Sequence, residues 1–332
     1  MKFCVGATVR NEGPFILEWL AWQKMLGFDD VIFVHNDCTD HSVEMMKLLA
    51  EAGFCHELEH FPAENQAPVR SGLIALHTHP VVAQTDWFFL CDVDEYLIAK
   101  RGDGTVQGLV GDMHERFRGI SVQWRCFGTS GLETWEDRPL HRMFTLAADE
   151  KDPANKFYKS FAFRPAENFK MISAHEPRGW RGKGKWGEGP NRWAHISDRP
   201  MNYDPNGPER KLTKAKWISL AGAQVNHYVT KTLENFTYKA GTPCPARNFY
   251  FDRYNERFFL AHNRNEVTDT SALAFDDRFD AVMAQLLAVK GVLRLHHLCC
   301  ADLLSRMHEK AGSDVKSDPR YSHHLEMAAA QA

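Results

Sequence analysis

The strongest constraint in this chain is a rhythm: over its first hundred residues, short apolar runs alternate with longer helical stretches. FCVGATV (3–9) reads as a buried strand, and PFILEWLAWQKMLG (14–27) as a helix with Pro14 in its first turn and Gly27 closing it. DDVIFVHN (29–36) reads as a strand, SVEMMKLLAEAG (42–53) as a helix and FCHELEH (54–60) as a third strand. A helix follows from about Val69 to His79, and then a fourth strand, WFFLCDVD (87–94). Strands and helices in this alternation predict an α/β fold: a Rossmann-like, mostly parallel sheet with helices on both faces. The turn after the first strand is TVRNEGP, with no G-x-G-x-x-G, so a dinucleotide oxidoreductase loses its fingerprint where it should stand.

The fourth run delivers Asp92, Asp94 and Glu95 into one place, between WFFLC and YL. Like charges this close need a cation among them, or their pKa values must move. Alternate strand residues share a face, so Asp92 and Asp94 can meet one ligand at the sheet edge where open α/β folds bind ligands. A divalent cation with oxygen ligands, Mg²⁺ or Mn²⁺, suits that pair when it also holds phosphates. A solvated acidic turn is the plain alternative. His227, in NHY after a short apolar run, is the candidate third ligand and His175 its rival.

Downstream, the pattern changes. GISVQWRCFG and NKFYKSFAFRP read as strands. GWRGKGKWGEGPNRW (179–193) reads as a mobile loop whose glycines permit closure and whose Trp180, Trp186 and Trp193 can stack on a ligand ring. Residues 197–217 are polar and basic, with prolines that argue against a long element. DDRFDAVMAQLLAVKG and VLRLHHLCCADLLSRMHEK read as helices, and about the last twenty residues as a frayed end. The expected division is a Rossmann-like ligand-binding half over 1–110, a metal-completing half over 111–260, and a C-terminal helical region over 261–332.

A formal charge of -3 gives no basic footprint for nucleic acid. No run is long and apolar enough for a membrane span, and the start is too quickly charged for a signal peptide. The eight cysteines form no C-x-x-C pair and read as reduced structural thiols of a cytoplasmic protein.

TVRNEGPFILEWLAWQKMLGFDDVIFVHNDCTD followed by DWFFLCDVDEYL resembles glycosyltransferases of the family 2 and family 92 type, which have a GT-A fold. Asn11 and Glu12, then Glu18, Trp19 and Leu20, then Asn36 and Asp40, then Asp92, Asp94 and Glu95 match that pattern in order. His35 and Cys38 depart from it, standing where the family often has Asp and Ser. The resemblance implies that Asn11, Glu12, Asn36 and Asp40, with Arg10, lie against the nucleotide of a nucleotide-sugar. It places the diphosphate-bridging metal on Asp92 and chiefly Asp94. Asp40 can equally cap the next helix.

Arg70, Lys159, Arg164 and Lys231 are candidate phosphate or acceptor contacts, with Lys231 on His227's face if that segment is helical. Glu133, Glu136 and Asp137 in SGLETWED are candidate bases for the acceptor hydroxyl, Glu133 first and Asp137 with it. The expected activity is a metal-dependent, inverting transfer from a UDP-sugar to a saccharide or lipid-linked saccharide acceptor, in surface polysaccharide synthesis at the inner membrane face. The alternatives are a non-catalytic nucleotide- or glycan-binding protein on that scaffold, and a nucleotidyltransferase or phosphohydrolase using the same acids.

Overall fold

The computed structural model describes residues 1–208, 212–242, 244–247 and 249–331. Its centre is a ten-stranded sheet. The strands are β1 (Phe3–Val9), β2 (Asp30–His35), β3 (His56–Glu59), β4 (Trp87–Leu90), β5 (Glu95–Ala99), β6 (Gly119–Cys126), β7 (Tyr158–Phe163), β8 (Trp193–His195), β9 (Pro200–Met201) and β10 (Ala223–His227). The order is β9-β8-β6-β7-β4-β1-β2-β3, with β10 pairing both β5 and β6. β1 to β4 run parallel, and β7 enters antiparallel between β4 and β6, so β6 points the same way as β4. The expected architecture holds: a Rossmann-like, mostly parallel sheet, helices on both faces and a helical C-terminal extension, matching a GT-A-type fold.

The helices used below are α1 (Gly13–Met25), α2 (Ser42–Glu51), α3 (Pro68–Thr78), α4 (Leu233–Lys239), α5 (Asp276–Leu287), α6 (Val292–Ala311) and α7 (Pro319–Ala330). Alternate residues of the central strands sort to opposite faces, as the two-residue period of a strand requires. Val5, Val31, Phe33 and Phe89 join one core with α1, α2, α5 and α6, while Cys4, Ile32, Val34 and Phe88 join a second with Leu76 of α3. All residues of α1 except Lys24 are buried, which is the signature of a helix covered on every side. Its Trp19 and Trp22 indoles donate to the Glu95 and Leu97 carbonyls at 3.2 and 2.9 Å. Removing a buried indole of this kind costs about 3–5 kcal/mol. Gly13 is required where α1 meets α6, because a Cβ there would stand 2.4 Å from Cys299 Sγ.

Three expectations need correction. The fourth strand stops at Leu90 and β5 begins at Glu95, so Asp92 and Asp94 lie in a turn and not on alternate strand positions. Residues 313–331 are not frayed. Asp318 accepts from the Arg320 backbone N–H at 2.8 Å, Pro319 opens α7, and His324 and Ala328 are buried against α6. Trp193 does not offer its ring to a ligand. It is 1 % exposed in β8, its indole bonded to Ser121 Oγ at 2.6 Å, and Trp180 and Trp186 pack with it around Phe169 and Tyr203.

All eight cysteines are free thiols. Between 197 and 217 only short elements occur among the described residues, 209–211 lying outside them. Among the described residues, no helix is long and apolar enough to cross a membrane.

Candidate active site

The three acids sit in a tight turn at the C-terminal end of β4. The Glu95 N–H donates to the Asp92 carbonyl at 3.0 Å, and the Asp92 N–H returns a bond to Glu95 Oε2 at 2.8 Å. Lys159, 1 % exposed on β7, reaches between them, with Nζ 2.9 Å from Asp92 Oδ2 and 2.8 Å from Glu95 Oε2. An antiparallel strand inserted beside β4 thus supplies the cation that the acids require. Burial works against the Lys159 charge, but Asp92 and Glu95 outweigh it and hold the ammonium protonated.

Each acid is treated differently. Asp92 is half exposed. Glu95 is fully buried, and burial pushes its carboxyl up to about 8 against the pull of Lys159. Asp94 is also largely buried, which alone would raise its pKa, yet the Lys231 ammonium outweighs that and holds it well below the carboxylate range. His227 Nε2 and Lys231 Nζ each stand 3.9 Å from an Asp94 oxygen, beyond hydrogen-bond length. His227 is 3 % exposed and tilted against Trp124 at 4.1 Å between centroids, and burial drives its pKa far down, leaving a neutral imidazole. Its Nδ1 and the Lys231 Nζ have no hydrogen-bond partner among the described residues.

β10 brings His227 beside Glu95 by pairing antiparallel with β5. Lys231 arrives by a left-handed turn, φ +50°, rather than by the helical spacing expected. Its ammonium lies 4.5 Å from the Phe15 ring centre, and burial followed by Lys239 lowers its pKa. Lys239, at the end of α4, bonds Glu12 at 3.2 Å and is held protonated by it despite burial. Glu12, Asp94, His227, Lys231 and Lys239 therefore gather where β1, β4 and β10 end. A divalent metal fits there in part: Asp94 supplies a carboxylate and His227 a neutral nitrogen, a mixed O/N set that Mn²⁺ accepts, while one Asp92 oxygen is engaged by Lys159.

The other expected residues are placed as follows. Asn11 accepts from the Thr39 N–H at 2.7 Å, Asn36 donates to Asp37 at 2.8 Å, and Arg10 donates to the Asp37 carbonyl at 3.3 Å. These bonds tie together the loops after β1 and β2. Asp40 is buried and accepts from the Ser42 and Gly13 N–H groups at 3.2 Å each, bracing the first residues of α2 and α1. Arg70 is exposed on α3. Arg164 pairs with Asp86 at 3.2 Å, at the start of β4 and so at the opposite sheet edge. His175 Nδ1 lies 2.8 Å from the Tyr158 carbonyl, its ring edge-on to Trp124 at 5.7 Å between centroids. Glu133 is exposed, with its carbonyl accepting from Glu234 N–H at 2.8 Å, three residues beyond Lys231. Glu136 pairs with Arg138 at 3.3 Å. Asp137 is not with the acids of β4; His296 on α6 holds both its oxygens, at 3.0 and 3.1 Å.

Sequence reasoning missed Lys239 and the buried state of Glu95. It also passed over HHLCC in α6, where His296 and Cys300 at i and i+4 share a face. Among the described residues, the groups of three side chains with ligand atoms within 4.8 Å of one another are Asp137–His297–His324 and Asp137–His296–Cys300. Neither contains Asp94.

No family model and no curated protein matches the chain. Solved structures similar to it include residues 1–349 of S. aureus TarS, at 11% identity over 100% of this chain and 92% of that one, TM-score 0.35. Against a longer TarS chain the match spans 23% of that chain. Glucosyl-3-phosphoglycerate synthase from Mycobacterium tuberculosis is similar at 18% identity, over 51% of this chain and 60% of that one, TM-score 0.28. HddC from Yersinia pseudotuberculosis is similar at 6% identity, over 49% and 77%, TM-score 0.28. Likenesses of this degree carry no weight on activity, and the functional reading rests on the chain's own residues.

Proposed function

We propose that this chain is a metal-dependent glycosyltransferase that moves a sugar from a nucleotide-diphospho-sugar, a UDP-sugar, to a saccharide acceptor. The observation that carries the reading is the convergence of Asp94, neutral His227 and the ammonium groups of Lys231 and Lys239 at the C-terminal edge of a mostly parallel sheet. That edge is where such sheets bind ligands.

Glycosyl transfer breaks the bond between the anomeric carbon and the diphosphate oxygen, and the electron pair leaves with the diphosphate. Asp94 and His227 would hold Mn²⁺ or Mg²⁺, which neutralises that developing charge, and the two lysines add to it. The acceptor oxygen attacks the opposite face of the sugar, inverting it, and its proton passes to a carboxylate. Glu133 is exposed and open to an acceptor, whereas Asp137 is engaged by His296, so Glu133 takes the role of base. The resemblance to family 2 and family 92 enzymes supports an acceptor in surface polysaccharide synthesis, free or lipid-linked, met at the cytoplasmic face of the membrane.

The test is calorimetric binding and turnover against a panel of nucleoside diphosphates and nucleotide-sugars, with Mn²⁺ and then with chelator. Metal-dependent binding of one diphosphate and release of it from its sugar are expected. Glu133→Gln should lower turnover by about 100-fold or more with donor binding unchanged. Binding of no nucleotide under any condition overturns the reading, and release of pyrophosphate would make the chain a nucleotidyltransferase.

A further inference from the structure

The C-terminal helices gather side chains that sugar transfer does not use. α6 contributes His296, His297 and Cys300, α7 contributes His324, and the loop before Leu140 contributes Asp137. His297 and His324 are 7 % and 4 % exposed, and their Nδ1 atoms face each other at 3.0 Å. Two nitrogens bound to one zinc ion stand about 3.3 Å apart at the tetrahedral angle and about 2.9 Å apart at a right angle. The observed separation falls between those values. Asp137 brings a carboxylate oxygen within 4.8 Å of a ring nitrogen of each histidine.

We propose that Asp137, His297 and His324 form a second divalent-metal site, of the zinc class, that fastens the C-terminal helix pair to the loop carrying Trp135 and Asp137. The donor set, two imidazoles and one carboxylate, is one that zinc takes. His296 supports the carboxylate from behind, with Nε2 on both oxygens, as outer-shell partners of ligating carboxylates do. The Asp137 side chain remains 29 % exposed, which leaves a route for the ion and room for a water ligand.

The protonation states agree with the geometry. Burial lowers the pKa of His297 and brings that of His324 down to about 4, so both rings are neutral near pH 7. Burial opposes the Asp137 charge, but His296 outweighs it and the carboxyl drops to about 2. These are the forms that bind metal. The same loop is already gripped by Arg320 of α7, which donates to the Trp135 carbonyl at 2.7 Å and pairs with Glu234 at 2.8 Å. A metal there adds a second fastening between the same two parts.

The experiment uses the full chain without a histidine tag, stripped with chelator and titrated with Zn²⁺, with bound metal counted by elemental analysis. One zinc per chain is expected, with a rise in melting temperature, and the Asp94→Asn protein should bind it equally. That arm separates this site from the donor edge. The His297→Gln, His324→Gln double variant should lose zinc affinity by about 100-fold or more. Co²⁺ titrated into the parent should give the visible absorption of a low-symmetry N/O site, and that reading stands even if the double variant fails to fold. The proposal is overturned if the parent binds no zinc at micromolar free metal, which leaves a plain imidazole N–H···N bond, or if the double variant binds it as tightly as the parent.

Discussion

The turn after β4 and the cluster under α7 both set carboxylates against buried partners, but they neutralise them by different means. At the turn, lysines on β7 and beyond β10 do it, with Lys159 between Asp92 and Glu95 and Lys231 facing Asp94. Under α7, Asp137 is answered by His296, with His297 and His324 beside it. Ammonium groups keep their charge across the physiological range, whereas imidazoles change theirs within it. The first region thus rests on cations that stay charged, with buried Glu95 as its titrating member, and the second is sensitive to protons at acid pH and to metals that compete with them.

The comparison breaks first at Lys159. Lys159→Met leaves Asp92 and buried Glu95 without their cation, a loss of about 3–5 kcal/mol in urea unfolding; a loss below about 1 kcal/mol would mean that the turn does not depend on lysine. Next in size, Asp94→Asn should weaken Mn²⁺-dependent binding of the donor diphosphate by about 100-fold, or about 2.7 kcal/mol, with the melting temperature nearly unchanged. Equal calorimetric titrations of variant and parent would move the metal elsewhere.

A smaller effect sharpens the contrast. His324 has a folded pKa of about 4, below its unfolded value near 6.5, so the unfolded chain binds more protons between the two. Its contribution is therefore fully present above about pH 6.5 and is lost as pH falls toward 4, by an amount on the order of 1–2 kcal/mol. Stability measured from pH 7 to 4 in metal-free buffer should show that slope, and His324→Gln should flatten it. Smallest of all, Glu133→Ala, on the exposed loop, should shift unfolding by no more than about 0.5 kcal/mol.

The sheet was legible in the sequence because its strands are fully buried, so FCVGATV, DVIFVH and WFFL appear as plain apolar runs bounded by polar turns. The acids of residues 92–95 were legible as a cluster for the same reason. Their turn was not: Cys91 and Val93 alternate with Asp92 and Asp94 as in a continuing strand, and only the hydrogen bonds between Asp92 and Glu95 show the turn. Lys159 was visible as a cation near the site, but its partners are sixty-odd residues away and emerge only from the antiparallel pairing of β4 with β7. Lys231 reaches Asp94 through a positive φ that no side-chain pattern encodes. The final helix carries little apolar pattern of its own, and its stability comes from α6, a tertiary contribution that local reading misses.

The burial of α1 bears on how the chain is made. Its cover comes from strands laid down early, from Leu140, whose N–H meets Glu18 at 2.7 Å, and from α5 and α6, after residue 275. At a synthesis rate of about 5–20 residues per second, the indoles of Trp19 and Trp22 wait roughly ten seconds or longer for the last of these to leave the ribosome. Until then the face of EWLAWQKML turned away from the early strands is an uncovered apolar surface. It is the stretch of the nascent chain most in need of a chaperone.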